Sequence, residues 1–223
     1  MSMSDERADT AMLLAAIEFA SRKHSTQRRK DAEASPYINH PIAVTHLLAD
    51  TGGITDLVTL MAAVLHDTIE DTETTPTELD QHFGRAVRSL VEELTDNKAL
   101  DKADRKRRQI EHASHLSHRA KAIKLADKIA NVRDVMASPP RDWPLGRRLE
   151  YLDWTEQVVA GCRGTNDALE KLYDEVLKKG RGTLRMDQSD ADASLGAGDR
   201  VAESKVRRAS SRVVANVAPH RAP

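Results

Sequence analysis

Residues 66–71 read His-Asp-Thr-Ile-Glu-Asp, so His66, Asp67, Glu70 and Asp71 fall within six positions at the end of an apolar run, Ala62–Leu65. On a continuous helix, positions i and i+4 share a face, which would set His66 above Glu70 and Asp67 above Asp71. One imidazole and one carboxylate are metal-ligand types, and two carboxylates are left over. Like charges this close repel or raise one another's pKa. Acids at a helix C-terminus also oppose the macrodipole. A divalent cation resolves both conflicts.

Two protein ligands do not make a metal site. His40 precedes Pro41 at the start of another predicted helix. Asp127 lies on the stripe of Ile123 and Ala130, where a carboxylate interrupts an apolar face and needs a partner. Asn131 follows one turn later on that face. His40, His66, Asp67 and Asp127 would form a His₂Asp₂ set drawn from three helices, with coordination positions left for water. Taken singly, Asp127 could instead pair with Lys124 or Lys128, and His40 could simply pack.

The elements that must position these groups read as helices. Apolar spacing predicts helices over 9–24, 39–53, 55–72, 75–97 and 117–138, then around 149–162 and 167–179. Candidate caps are Asn39, Thr55 and Thr75, the last with Pro76 and Glu78 in a capping-box pattern. The charged stretch 101–116 reads as a partly helical excursion, and 25–37 as an exposed basic loop. No segment alternates like a strand. The fold class expected is all-α.

The chain has 223 residues, 39% hydrophobic, 31% charged and only 3% aromatic, which suits amphipathic helices over a β-sandwich. Two regions are expected: a folded domain over 1–180 and a disordered tail over 181–223. The tail is rich in Ala, Ser, Arg, Asp and Gly, has no aromatic residue, and carries six basic residues against Glu203 from Arg200 onward. A formal net charge of −1 gives no case for nucleic acid. A single cysteine, Cys162, excludes an internal disulfide. The polar N-terminus and the lack of a long apolar run point to a cytoplasmic protein with no membrane segment. Oligomeric state is not legible.

"YINHP", "HDTIED" and "KLADKIANVRD", in that order, resemble the signatures of the HD superfamily of metal-dependent phosphohydrolases. More closely they resemble the small stand-alone hydrolases of the RelA/SpoT alarmone type, over about Ala11 to Lys179, including "RRKD", "FGRAVRSLVEELTD" and "RRLEYLDW". The resemblance implies a multi-helix HD bundle that hydrolyses the 3′-pyrophosphate of guanosine tetra- or pentaphosphate with Mn²⁺. It implies His40, His66, Asp67 and Asp127 as metal ligands, and Glu70 and Asp71 as the pair that orients or activates the water. Arg29 and Lys30 would contact the nucleotide, as would Asn131, with Arg147, Tyr151 and Lys102 as further contacts. Read alone, Arg29-Lys30 is a solvated loop and Tyr151 packs beside Trp154. The segment "ASPPRDWPLG" departs from the pattern and is expected at the pocket rim. Alarmone synthesis is not expected, for no second catalytic domain fits after residue 180. Two other readings share the metal residues: a 2′-phosphatase acting on NADPH, and a non-catalytic nucleotide-sensing scaffold.

Overall fold

The computed structural model describes residues 3–186. They form α1 (Met3–Lys23), α2 (Asn39–Asp50), α3 (Leu57–Leu65), α4 (Thr68–Asp71), α5 (Pro76–Leu94), α6 (Lys102–Ala113), α7 (His118–Ala137) and α8 (Leu145–Ala160). Residues 167–186 are helical as well and are called α9. Among the described residues there is no strand, only an isolated antiparallel bridge between Arg28 and Pro36. The chain divides into one unit over Met1–Arg181 and another over Gly182–Pro223, of which 182–186 are described. The tail expected to be disordered lies outside the described residues from 187 on. Helix α9 runs through Gly180, where the domain was expected to end.

Helix α3 is the centre of the bundle. Every residue from Thr59 to Leu65 is buried, because α1, α2, α5 and α7 cover it from different sides. A helix apolar on all faces can only sit in such a place. Helix α7 is the second buried element, with Ile123, Leu125, Ala126, Ile129, Ala130 and Val132 in the core. It packs most closely on α2 and also meets α8. The first turn of α2, the C-terminal end of α3 and the middle of α7 therefore converge.

Local chemistry sets the helix ends. Asp56, not Thr55, caps α3, its carboxylate accepting from the Thr59 N–H at 3.0 Å. No side chain caps α2, which begins at Asn39 after Ile38. Thr75 caps α5 by accepting from the Glu78 N–H at 3.2 Å, while the Glu78 carboxylate turns to Lys23. Thr75→Ala should cost about 1 kcal/mol of stability. Urea unfolding reads this directly, and an unmoved midpoint would show that the cap contributes nothing. Helix α5 is interrupted at Gly84, whose φ of 81° is one that L-residues rarely adopt.

The charged stretch over 101–116 is a full helix rather than a partial one. Asp101 caps α6 by accepting from the Asp104 N–H at 2.8 Å. Its apolar side, Ile110 and Ala113, packs on Val158, Cys162 and Trp154. A Cβ at Gly161 would lie 2.6 Å from the Ala113 side chain, so the end of α6 seats where only glycine permits it. The charges of α6 masked its narrow apolar face in the sequence. Cys162 is a buried core thiol, and burial pushes its pKa up.

Candidate active site

The helix expected to run unbroken through 55–72 breaks where the chemistry is. Helix α3 ends at Leu65, His66 and Asp67 form a turn, and α4 restarts at Thr68. The break turns His66 and Asp67 toward α2 and α7, which the i,i+4 spacing alone did not require. The Nδ1 of His66 bonds the Ala63 carbonyl at 2.7 Å. That leaves Nε2 facing Asp67 Oδ2 at 3.1 Å and Asp127 Oδ1 at 4.0 Å.

His40 and Asp127 are 87 residues apart and meet at 3.0 Å, Nε2 to Oδ1. Ligand atoms of His40, His66 and Asp67 all lie within 4.8 Å of one another. Asp127 Oδ1 stands beside both histidines. All four side chains are largely shut off from solvent. Two imidazoles and two carboxylates at these separations suit a divalent cation of hard or borderline character. The two carboxylates also have supports of their own. Asp67 accepts from the Tyr37 hydroxyl at 2.5 Å. Asp127 accepts from Asn131 at 2.6 Å and, through Oδ2, from Lys128 at 2.9 Å.

Electrostatics follow from this packing. Burial opposes the charge of Asp127, but Lys128 and then His40 and His66 hold its carboxyl well below the usual range. Burial likewise opposes the charge of Asp67, yet His66 holds its pKa down. Burial of His66 favours the neutral ring, but Asp67, Asp127 and the Ala63 carbonyl outweigh it and raise the pKa to about 9. The ion-free pair thus contributes stability that is complete below the ordinary value of 6.5 and is lost as pH rises through about 9. A metal ion and a proton compete for the same Nε2. Uptake of a divalent ion near pH 7.5 should therefore release about one proton. Calorimetry in buffers of different ionisation enthalpy counts it, and no release would show that His66 is already neutral before the ion binds.

Glu70 and Asp71, on α4, flank the cluster. Glu70 is partly buried and its pKa is raised by burial and then by the neighbouring charges of Asp96 and Asp67. It accepts from the Asp96 N–H at 3.2 Å, with Arg105 at 3.9 Å. Asp71 accepts from Gln27 at 3.1 Å and from Lys98 at 2.6 Å.

A cavity of about 660 Å³ opens above His40. Arg29, Lys30, Tyr37, Asp71, Asn131 and Tyr151 line it, together with Trp143 and Pro140. The expected rim segment is in place: Arg141 N–H donates to the Lys30 carbonyl at 3.2 Å, and Arg141 also bonds the Ala32 carbonyl. Lys102 and Arg147 do not line this cavity. They line a second one of about 450 Å³ that shares Trp143 and Tyr151 with the first. Burial and then the charges of Arg147 and Lys30 lower the Lys102 pKa, a sign of clustered cations. Tyr151 lies between Trp143 and Trp154, with ring centroids 5.2 and 5.3 Å away, so it both packs and lines the cleft.

The sequence reading missed Tyr37, Trp143 and Lys106. Tyr37 stood inside "YINHP", and its offset from His40 was a usable signal. Trp143 lies within the segment expected at the pocket rim, whereas Lys106 carried no signal, since it reaches the Tyr151 and Trp154 rings only because α6 docks on α8. Of Lys124 and Lys128, it is Lys128 that pairs with Asp127.

The family model described as HD domain matches residues 16–149. A guanosine-3′,5′-bis(diphosphate) 3′-pyrophosphohydrolase of Xenopus tropicalis is 52% identical over 169 residues, 76% of this chain and 94% of the relative. Its namesake from Homo sapiens is 52% identical over 172 residues, 77% of this chain and 96% of the relative. A solved structure described as a metazoan ortholog of SpoT that hydrolyses ppGpp superposes with a TM-score of 0.74. It is 45% identical, with 76% of this chain and 95% of that chain covered. Among the described residues no helix is long and apolar enough to cross a membrane.

Proposed function

We propose, since the chain belongs to the HD-domain family, that it hydrolyses the 3′-pyrophosphate of guanosine tetra- or pentaphosphate, yielding pyrophosphate and GDP or GTP. The observation that carries this reading is the buried His40, His66, Asp67 and Asp127 cluster beneath a cleft walled by Arg29 and Lys30. Relatives matched over 94% and 96% of their own length, and 52% identical to this chain, bear that activity in their names. Mn²⁺ is the ion we assign to His40, His66, Asp67 and Asp127. When bound, it supplies Lewis acidity, lowering the pKa of a water and polarising a phosphoryl oxygen.

The remaining work falls to the chain. Glu70, with its raised pKa, takes the proton of the attacking water, and Asp71 orients that water. The water oxygen bonds to the phosphorus next to the ribose, the bond from that phosphorus to O3′ breaks with release of pyrophosphate, and the 3′-oxygen takes up one proton, which balances the one Glu70 accepted from the water. Arg29 and Lys30 offset the charge of the 3′-pyrophosphate, and Asn131 contacts the substrate from α7. The substrate carries two diphosphates, and two basic cavities meet at Trp143 and Tyr151. Lys102 and Arg147 line the second cavity, and in this reading they take the 5′-diphosphate.

The test is to strip the purified chain with chelator, add guanosine tetraphosphate with and without Mn²⁺, and resolve the products. Mn²⁺-dependent GDP and pyrophosphate are expected. No product from a chain that binds Mn²⁺ would discard the alarmone assignment, and NADPH would then be the next substrate tried.

A further inference from the structure

His66 and His40 differ in how their second ring nitrogen is held. Metal-bound histidines almost always donate that N–H to a carboxylate or carbonyl, which fixes the tautomer and the ring plane. His66 does so with the Ala63 carbonyl. His40 does not: its Nδ1 is buried and has no hydrogen-bond partner. Its carboxylate neighbour on that side is Asp134, whose Oδ2 is 3.8 Å away, too far for a hydrogen bond. That same Oδ2 is taken by Arg29, in a close ion pair across the cavity wall. Arg29 also lies over the Tyr37 ring, 5.6 Å from its centroid.

Asp134 is on the face of α7 that carries Asp127 and Asn131, and in the helix's last turn. An acid there opposes the helix dipole, so local helix stability does not account for it. Its carboxylate is partly exposed at the cavity, where a small shift would reach His40.

We propose that Asp134 is a positioning residue shared between Arg29 and His40. With no substrate present it holds Arg29 against the wall. When Arg29 turns to the substrate's phosphate, Asp134 is freed to accept the Nδ1–H of His40 and lock Nε2 toward the ion. Phosphate binding and ion binding are thereby coupled, and the coupling is reciprocal. The inference rests on the metal-site reading above.

The experiment is a Mn²⁺ titration of the full chain without nucleotide, as wild type, Asp134→Ala, Asp134→Asn, Arg29→Ala and the double variant Arg29→Ala/Asp134→Ala. Loss of the ring's partner should weaken Mn²⁺ binding by roughly tenfold in Asp134→Ala. Asp134→Asn, which keeps the shape and an acceptor oxygen, should fall in between and guards against a folding defect. Arg29→Ala frees Asp134 and should tighten binding several-fold. The double variant decides the mechanism. If Arg29 acts through Asp134, removing it changes nothing once Asp134 is gone. If Arg29 merely repels the ion, its removal tightens binding equally in both backgrounds, and the proposal is overturned. Nitrogen-15 NMR of His40 adds a second readout: the Nδ1–H tautomer should be enriched in Arg29→Ala and depleted in Asp134→Ala. Wild-type Mn²⁺ binding with an unaltered Asp134→Ala overturns this proposal alone. Absence of binding by the wild type overturns the metal-site reading as well.

Discussion

Asp127→Ala should abolish Mn²⁺ retention and turnover together, and should also destabilise the metal-free chain by about 3–5 kcal/mol. The first effect follows from position. Asp127 Oδ1 is 3.0 Å from the Nε2 of His40 and 4.0 Å from that of His66, so its loss opens the α7 side of the cluster. The second effect comes from its other oxygen. Oδ2 pairs with Lys128, which is only 4% exposed and lies 4.5 Å from the centre of the Trp154 ring. Removing the carboxylate strands that ammonium in the interior. The two effects can be separated. Asp127→Ala/Lys128→Met should recover much of the stability in urea while remaining unable to hold the ion. Unchanged Mn²⁺ binding by Asp127→Ala would remove Asp127 from the ligand set.

Glu70→Ala should keep the ion yet lose roughly 10²-fold or more in turnover, the size expected for a general base. Its carboxylate has a structural task as well, accepting the Asp96 N–H at 3.2 Å. Glu70→Gln keeps an acceptor for that N–H but cannot take a proton. A base therefore makes the glutamine variant about as slow as the alanine one. Turnover restored by glutamine would reassign Glu70 to holding the 96–98 loop in place. Near-normal rates in both variants would move the base to Asp71. That carboxylate is already engaged by Gln27 and Lys98, which favours an orienting role for it.

Much of the fold was legible because helices announce themselves locally. The apolar stripe of α7 and the Thr75-Pro76 start of α5 are short-range signals, and both are found in place. Errors arose where tertiary contacts override local pattern. Residues 101–116 read as a partly helical excursion, yet they form a full helix, for a two-residue apolar edge suffices to dock it once Gly161 lets α6 approach. The apolar run through Leu65 gave no hint of a break at His66, since nothing in those residue types forbids a longer helix.

The site divides along the same line. Which residues could bind a cation, and their order along the chain, were set by the sequence alone, because ligand chemistry belongs to side-chain types and to spacings of a few residues. Their meeting was decided by the packing of α2, α3 and α7, which closes the 87-residue gap between His40 and Asp127. So were the partners that tune each ligand: Tyr37 on Asp67, Lys128 on Asp127, and Arg29 holding Asp134 short of His40. A hydrogen bond demands alignment to a fraction of an ångström. Only the packed core fixes atoms from distant segments that closely, so sequence determined the cast of the site and tertiary structure determined which of its members touch.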